Sequence, residues 1–477
     1  MKLRYDPGDG EAFWRAVSQL PGYPHGEDIP LRRMIFESRA IDRLPGLLTE
    51  LGVSQAAPLL VVMDATEMKR GGDSLKPLLL ETLRIADYKV QPLVLAPSPD
   101  GQVHTDEGQI EVVKSQLQPG MAALSVGSGV VTDITKHACY LYSQGGGGQI
   151  PFIVYQTANS VSTYTSNMAP VFIHGVKRIL PSRYPDALVC DLETLRDAPY
   201  AMTAAGVGDM LAATVSLPDW YLAHRLGMDD GYSELPAALT GDIVQILLSS
   251  AADIRERTLE GMALLAKLIS LGGLAMSLVG ATTPMSGYEH VISHALDFIH
   301  EVKGEPLSLH GSQAALATLL GCQAYQFFLD DFDPRAVDLA NCFPAERAMR
   351  EMIQAEFATL DPSGKVGEEC WADYRLKLER WHSRRDTMRG FLDEWELLKP
   401  ALRRQTCSPA RLLQALAAVE APLRFSELDS PAAEADVRYA FFNAPLMRRR
   451  LTLGDALIFF GLDRQRIWRQ ILAAGWI

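Results

Sequence analysis

Between residues 57 and 155 the chain alternates short apolar runs with stretches on helical spacing, and this alternation constrains the fold more than any other feature. The runs are Ala57–Met63, ended by Asp64, then Val90–Leu95, Met121–Val126 and Phe152–Tyr155. A helical stretch follows Gly71-Gly72, and the third run passes through Gly127-Ser128-Gly129 into Thr132–Cys139, a strand, a glycine turn and a helix. Such text describes an α/β domain with a Rossmann-like parallel sheet. From about residue 195 the character changes to long amphipathic stretches, with loops marked by Pro218, Gly227, Gly231, Pro236, Pro284 and Pro306. This predicts an all-α C-terminal domain. At 477 residues the chain exceeds what one core usually serves. The expected division is therefore a helical N-terminal extension over 1–55 with no strand, an α/β domain over 56–195 and a helical domain over 196–477. Trp371, Trp381 and Trp395 read as the core stripe of a long helical hairpin, and Gly145–Gly148 as a flexible loop.

A formal charge of −13 argues against nonspecific nucleic-acid binding, although a local cation or helix N-terminus can still hold a small anion. Six cysteines lie scattered without CxxC spacing, which fits reduced thiols in a cytoplasmic protein. The N-terminal residues carry no apolar signal segment. The richest apolar stretch, Ala263–Ala281, contains Lys267 and Gly272-Gly273 and reads as a buried helix pair rather than a membrane span.

Four of the ten histidines fall between Ser286 and Gly311. His290 and His294 are four residues apart in helical text, so both imidazoles project from nearly one face. His310 follows a Lys-Gly-Glu-Pro breaker and can fold back toward them. Two histidines and a carboxylate suffice for a divalent ion with an open position. The plainer reading is a pair of polar neighbours on a solvated face; His300, ten residues after His290, is taken as surface. The Gly127-Ser128-Gly129 turn would let backbone amides approach a diphosphate at a helix N-terminus, but GSG alone is nonspecific and the full GxGxxG is absent. Asp64, ending the first run, suits a carboxylate accepting from ribose hydroxyls, which favours NAD over NADP; a helix cap or turn role fits it equally.

Taken together, GSGVVTDITKHA, PFIVYQTANSVSTYTS, the segment from Val176 to Trp220, the histidine segment and APLMRRRLTLGDALIFFGL resemble the sn-glycerol-1-phosphate dehydrogenases, in the superfamily of iron-type alcohol dehydrogenases, glycerol dehydrogenases and dehydroquinate synthases. The resemblance implies the dehydroquinate synthase-like fold and a metal held by Asp209, His290 and His310, zinc first, with nickel and iron as alternatives. It further implies that His294 lies beside the substrate as proton donor or relay. Gly127, Ser128, Gly129 and Asp133 would line an NAD cofactor (NADP being the alternative), with Thr157 and Ser160 near the nicotinamide half. Lys136 and Ser162 would face the substrate, a small phosphorylated ketone such as dihydroxyacetone phosphate. Two departures stand out: Ser162-Thr163 replaces an Asp-Gly pair, and Ser312 replaces the glutamate after His310-Gly311. The rivals are a dehydrogenase of another polyol or aldehyde, a lyase of the dehydroquinate synthase kind using NAD transiently, and a binding protein without turnover. A homo-oligomer is compatible with all of them.

Overall fold

The computed structural model describes residues 3–98, 101–173 and 176–477. It contains two compact units, Met1–Met210 with Ala238–Gly241 and Ser249–Thr282, and Leu211–Ala237 with Asp242–Leu248 and Thr283–Ile477.

In the first unit, six parallel strands form one sheet: β1 (Arg33–Glu37), β2 (Pro58–Met63), β3 (Lys89–Val94), β4 (Ala122–Gly127), β5 (Phe152–Gln156) and β6 (Ala187–Asp191), in the order β1-β6-β5-β4-β2-β3. The four inner strands are buried almost throughout, so they read as continuous apolar text, whereas the edge strand β3 alternates in exposure. Period-two geometry sends Leu59, Val61, Met63, Leu124, Val126, Ile153, Tyr155 and Val189 to one face. There they meet Leu44, Leu47, Leu48, Leu75, Leu79 and Leu83 from the helices Leu44–Glu50 and Leu75–Ile85.

Three expectations need correcting in this unit. Residues 1–55 are not purely helical, because β1 pairs in parallel with β6. Being an edge strand flanked by Arg33 and Glu37 and only partly buried, it carries no apolar run to betray it. The Gly272-Gly273 pair does not divide a helix pair: Leu259–Ser277 is one continuous helix, long and apolar enough to cross a membrane by length and composition, with 78% of that window buried inside the protein. The expected loop over Gly145–Gly148 begins instead inside a wide turn, Ser143–Gly147, which leaves helical geometry at Gly146 with φ 84°.

The described residues of the second unit form helices and no strand. Tyr288–Lys303 and His310–Asp331 are its central pair, stitched together by the Gln313 side chain, which donates to the Ser293 carbonyl (2.8 Å) and the Asp297 carboxylate (2.8 Å). The tryptophan stripe is buried as expected, but on the two helices Lys365–His382 and Trp395–Gln405, with a third, Arg385–Asp393, between them, so the expected hairpin is three pieces. His300 is not at the surface; it is 1% exposed, with Nδ1 3.0 Å from the Pro306 carbonyl. Its helix is buried on nearly every side and leaves no solvated face for it. All six cysteines are buried free thiols.

Candidate metal and dinucleotide site

Strand β4 ends at Gly127, whose carbonyl accepts from the Thr157 amide at the end of β5 (3.2 Å). Ser128, in extended conformation, precedes the helix Gly129–Tyr142. A Cβ on Gly127 would meet Val131 Cβ at 2.5 Å, and one on Gly129 would meet Val161 Cγ2 at 2.6 Å, so the turn tolerates no side chain at either place. The absence of side chains keeps backbone amides at this helix N-terminus open to a ligand, the fit a diphosphate requires.

One turn into that helix, Asp133 pairs with Lys136 (2.7 Å) and accepts from the Thr163 hydroxyl (2.5 Å), while Lys136 Nζ lies 3.2 Å from the Thr163 carbonyl. Lys136 is fully buried, and burial pulls its pKa down against the opposing charge of Asp133. The Thr163 substitution thus closes a network that ties the helix to the short Ser162–Thr165 turn. Ser160 is buried against the Tyr164 hydroxyl (3.2 Å), and Thr157 is buried as well. Asp64 stands at the carboxyl end of β2, where its carboxylate receives Lys76 Nζ (2.7 Å) and the Thr66 hydroxyl (3.0 Å).

Asp209 is carried by the helix Tyr200–Leu211, which Gly206 allows to press against the Asn159 carbonyl. Asn159 is itself fixed by Gln156 Nε2 (2.8 Å) and by its own donation to the Met262 carbonyl (3.1 Å). The Asp209 carboxylate is buried and accepts from the Ser162 backbone amide (2.9 Å).

In the helical unit, the rings of His290 and His294 lie 6.2 Å apart on one helix, and His310, the first residue of the next, lies 5.0 and 5.8 Å from them. His290 Nδ1 is 2.8 Å from Glu289 Oε1, which also accepts from the Gly287 amide (2.7 Å). A carboxylate can only accept, so Nδ1 carries the proton and the ring's lone pair lies on Nε2. His294 Nδ1 faces the Arg448 guanidinium (3.3 Å). Asp219, buried nearby, accepts from Tyr325 Oη (2.5 Å) and from the amides of Tyr288 (2.7 Å) and Leu453 (3.0 Å). Burial, reinforced by the charge of Glu289, pushes its pKa up to about 8. Arg450 donates to Ser286 Oγ (2.8 Å), and burial together with the charge of Arg448 pulls it down to about 10.

Asp209, His290 and His310 each offer one ligand atom, and these atoms all lie within 4.8 Å of one another. Bonds of about 2.0–2.2 Å to one ion require donors roughly 3.3–3.6 Å apart, so modest side-chain rotation closes the set. One oxygen and two imidazole nitrogens suit a divalent transition metal. Asp64, Gly127–Gly129, Asp133, Lys136, Thr157, Ser160 and Ser162 are not members of this group. Glu289, Asp219, Arg448 and Arg450 carry no spacing signature. Only their places inside the histidine segment, the segment from Val176 to Trp220 and APLMRRRLTLGDALIFFGL could have drawn attention to them.

Residues 35–199 match the model of the iron-containing alcohol dehydrogenase family. Among solved structures, the glycerol dehydrogenase of Schizosaccharomyces pombe superposes with a TM-score of 0.55 at 13% identity, covering 94% of this chain and 92% of that one. The alcohol dehydrogenase from Oenococcus oeni gives 0.55 at 15%, covering 90% and 98%. The fold is that of this class of dehydrogenases. Glycerol-1-phosphate dehydrogenase [NAD(P)+] of Bacillus subtilis (strain 168) is 32% identical over 309 residues, 65% of this chain and 73% of the relative. Its namesake from Pyrococcus furiosus is 31% identical over 268 residues, 56% and 71%. Within the iron-containing class, the chain belongs to the glycerol-1-phosphate dehydrogenase family.

Proposed function

We infer that this protein is a metal-dependent, NAD(P)-linked dehydrogenase that interconverts dihydroxyacetone phosphate and sn-glycerol 1-phosphate. The observation that carries the reading is the grouping of Asp209, His290 and His310 within 4.8 Å, with His294 one helical turn from His290. When bound, the ion supplies Lewis acidity at the substrate carbonyl and the dinucleotide supplies the hydride. The remaining work falls to the chain's own residues. Glu289 fixes the tautomer of His290. The glycine turn admits the diphosphate and the Asp133–Lys136–Thr163 network holds that turn's helix in place. His294, whose Nδ1 faces a donor-only guanidinium, keeps its proton on Nε2, the atom proposed to protonate the developing alkoxide.

Zinc is the ion proposed, with nickel and iron as alternatives. NADH is proposed over NADPH because Asp64 sits at the carboxyl edge of the sheet. Lys76 beside it supplies a cation at the same spot, so the preference is expected to be modest. A second reading, a different phosphorylated carbonyl substrate, is favoured by Ser162 standing where the family resemblance expects an aspartate. Six buried thiols suit a cytoplasmic setting. The test is a spectrophotometric assay of metal-loaded protein with NADH or NADPH against dihydroxyacetone phosphate and other phosphorylated ketones, before and after chelation. Metal-dependent oxidation of NADH by dihydroxyacetone phosphate is expected. Turnover that survives complete metal removal, or cofactor cycling with no net oxidation, would overturn the reading.

A further inference from the structure

A cavity of about 360 Å³ opens beside the edge strand β1, and its wall carries Arg32, Arg33 and Arg43. Among the described residues Glu50 is the one carboxylate in that wall, so the lining holds an excess of positive charge on a protein whose net charge is −13. Each guanidinium makes one ion pair: Arg33 Nε with Glu50 (3.2 Å), Arg43 Nη1 with Glu37 (3.4 Å) and Arg32 Nη2 with Asp28 (3.5 Å). The side chains in these pairs are 49% to 92% exposed, and pairs of that kind contribute little, so a better-matched anion can displace them. Among the described residues no other hydrogen bond or ion pair engages these three guanidinia. Met34 and Leu47, both nearly buried, and Ile35 make an apolar part of the wall. Gly46, on the helix Leu44–Glu50, has nothing within 4 Å of the place its Cβ would take, so the space beside it is open.

The register of the sheet separates this cavity from the glycine turn of the same unit. Gly127 pairs with Gln156, Gln156 with Cys190, and Cys190 with Phe36. Arg33 therefore stands three strands across from Gly127 and three residues nearer the amino end of β1. At about 4.8 Å per strand and about 3.3 Å per residue, the two places lie roughly 15–20 Å apart.

We propose that this cavity is a second ligand site, separate from the metal and dinucleotide site, and that it takes a small phosphate monoester with an apolar body. A guanidinium presents several fixed N–H donors and accepts none, which matches the oxygens of a phosphate group. Three arginines against one glutamate leave two positive charges, the complement of a monoester that carries nearly two negative charges near neutral pH. The apolar body of the ligand would cover Met34, Ile35 and Leu47, and a volume near 360 Å³ lies at the small end of the usual range for ligand pockets. With the whole molecule acidic, attraction of such an anion rests on this local field rather than on long-range steering. The proposal is independent of the functional reading above, because every residue it uses precedes β2.

The experiment titrates phenyl phosphate, inorganic phosphate and succinate into full-length, metal-loaded protein by calorimetry, with and without saturating NADH. The native protein is compared with Gly46→Leu, which fills the open space, with the double variant Arg33→Gln/Arg43→Gln, and with Arg39→Gln, an exposed arginine outside the cavity wall. Phenyl phosphate is expected to bind the native protein whether or not NADH is present, more tightly than inorganic phosphate or succinate. The double variant should weaken it by roughly a hundredfold, about tenfold for each charge-assisted contact removed, and Gly46→Leu by at least about tenfold, while Arg39→Gln leaves it within about twofold. Leucine is a better helix former than glycine, so Gly46→Leu should keep or raise the melting temperature, and the exposed glutamines of the double variant give a second, independent readout. Absence of phenyl phosphate binding to the native protein, or binding that survives both Gly46→Leu and the double variant, would overturn the site. Succinate binding as tightly as phenyl phosphate would overturn the assignment to a phosphate, and equal affinity for inorganic phosphate would overturn the apolar body. A protein that fails to bind NADH or to turn over a ketone contradicts the functional reading alone, since the variants report on this cavity without either.

Discussion

Asp209 has two tasks for one carboxylate: one oxygen accepts from the Ser162 amide at 2.9 Å, and the group is also the proposed oxygen ligand of the metal. The two tasks separate by substitution. Asp209→Asn keeps an acceptor for the amide but loses the charge, so it should lose metal while its metal-free form unfolds within about 1 kcal/mol of the native protein. Asp209→Ala also leaves a buried N–H without its acceptor and should lose about 1–3 kcal/mol. Metal analysis and denaturant unfolding of metal-free samples check this, and identical stabilities for the two variants would show that the Ser162 bond contributes nothing. At this scale the histidines were readable, since four-residue spacing on a helix and a breaker before His310 are geometric statements. Asp209 was reached only through family resemblance, because a carboxylate that comes close by folding leaves no local pattern. Glu289 and Arg448 were not assigned roles at all. A charge beside a histidine in sequence does not say which way either side chain turns.

Helix Leu259–Ser277 crosses the Ser162–Thr165 turn through its glycine pair, and the two glycines are not equivalent. A Cβ on Gly273 would collide with the Thr165 hydroxyl and the Ser162 carbonyl, whereas one on Gly272 would meet Met210 Sδ at 3.0 Å and Ser162 Cβ at 3.2 Å. A methionine end can move aside, but a backbone carbonyl held in a tight turn cannot. Gly273→Ala should therefore destabilise by about 1–3 kcal/mol and weaken metal binding by shifting Ser162 against Asp209, with Gly272→Ala milder on both counts. Denaturant midpoints and metal titrations of the two variants decide it. The elements expected from the sequence were those with a strong physical signature: buried strands as apolar runs, and the long helices of the second unit. Strand β1 escaped because Arg33 and Glu37 bracket it at the sheet edge. Strand β6 escaped because its five residues run straight into the helix Leu192–Asp197 with no turn text between.

For the molecule as a whole, pH should matter on the alkaline side. The folded-state pKa of Asp219, about 8, lies above its ordinary value of 3.8, so the folded form holds a proton that the unfolded chain has released. The stability this contributes is fully present below pH 3.8 and is lost as pH rises through 8. Between pH 6.5 and 8.5 the loss should be about 2 kcal/mol, read as a falling melting temperature, and Asp219→Asn should flatten that fall. A native protein whose melting temperature is level across this interval would show that Asp219 is ionised in the fold, its charge offset by Arg450.

The pairing of β1 with β6 also has a temporal side. Ile41, just past β1, donates its amide to Asp191, 150 residues further along the chain. At about 5–20 residues per second, a ribosome takes roughly 8 to 30 s to add that length. Throughout synthesis of the sheet's interior, therefore, Arg33–Glu37 waits outside the exit tunnel with nothing to pair with. Its charged ends and short length spare it from adhering to other nascent chains in the meantime.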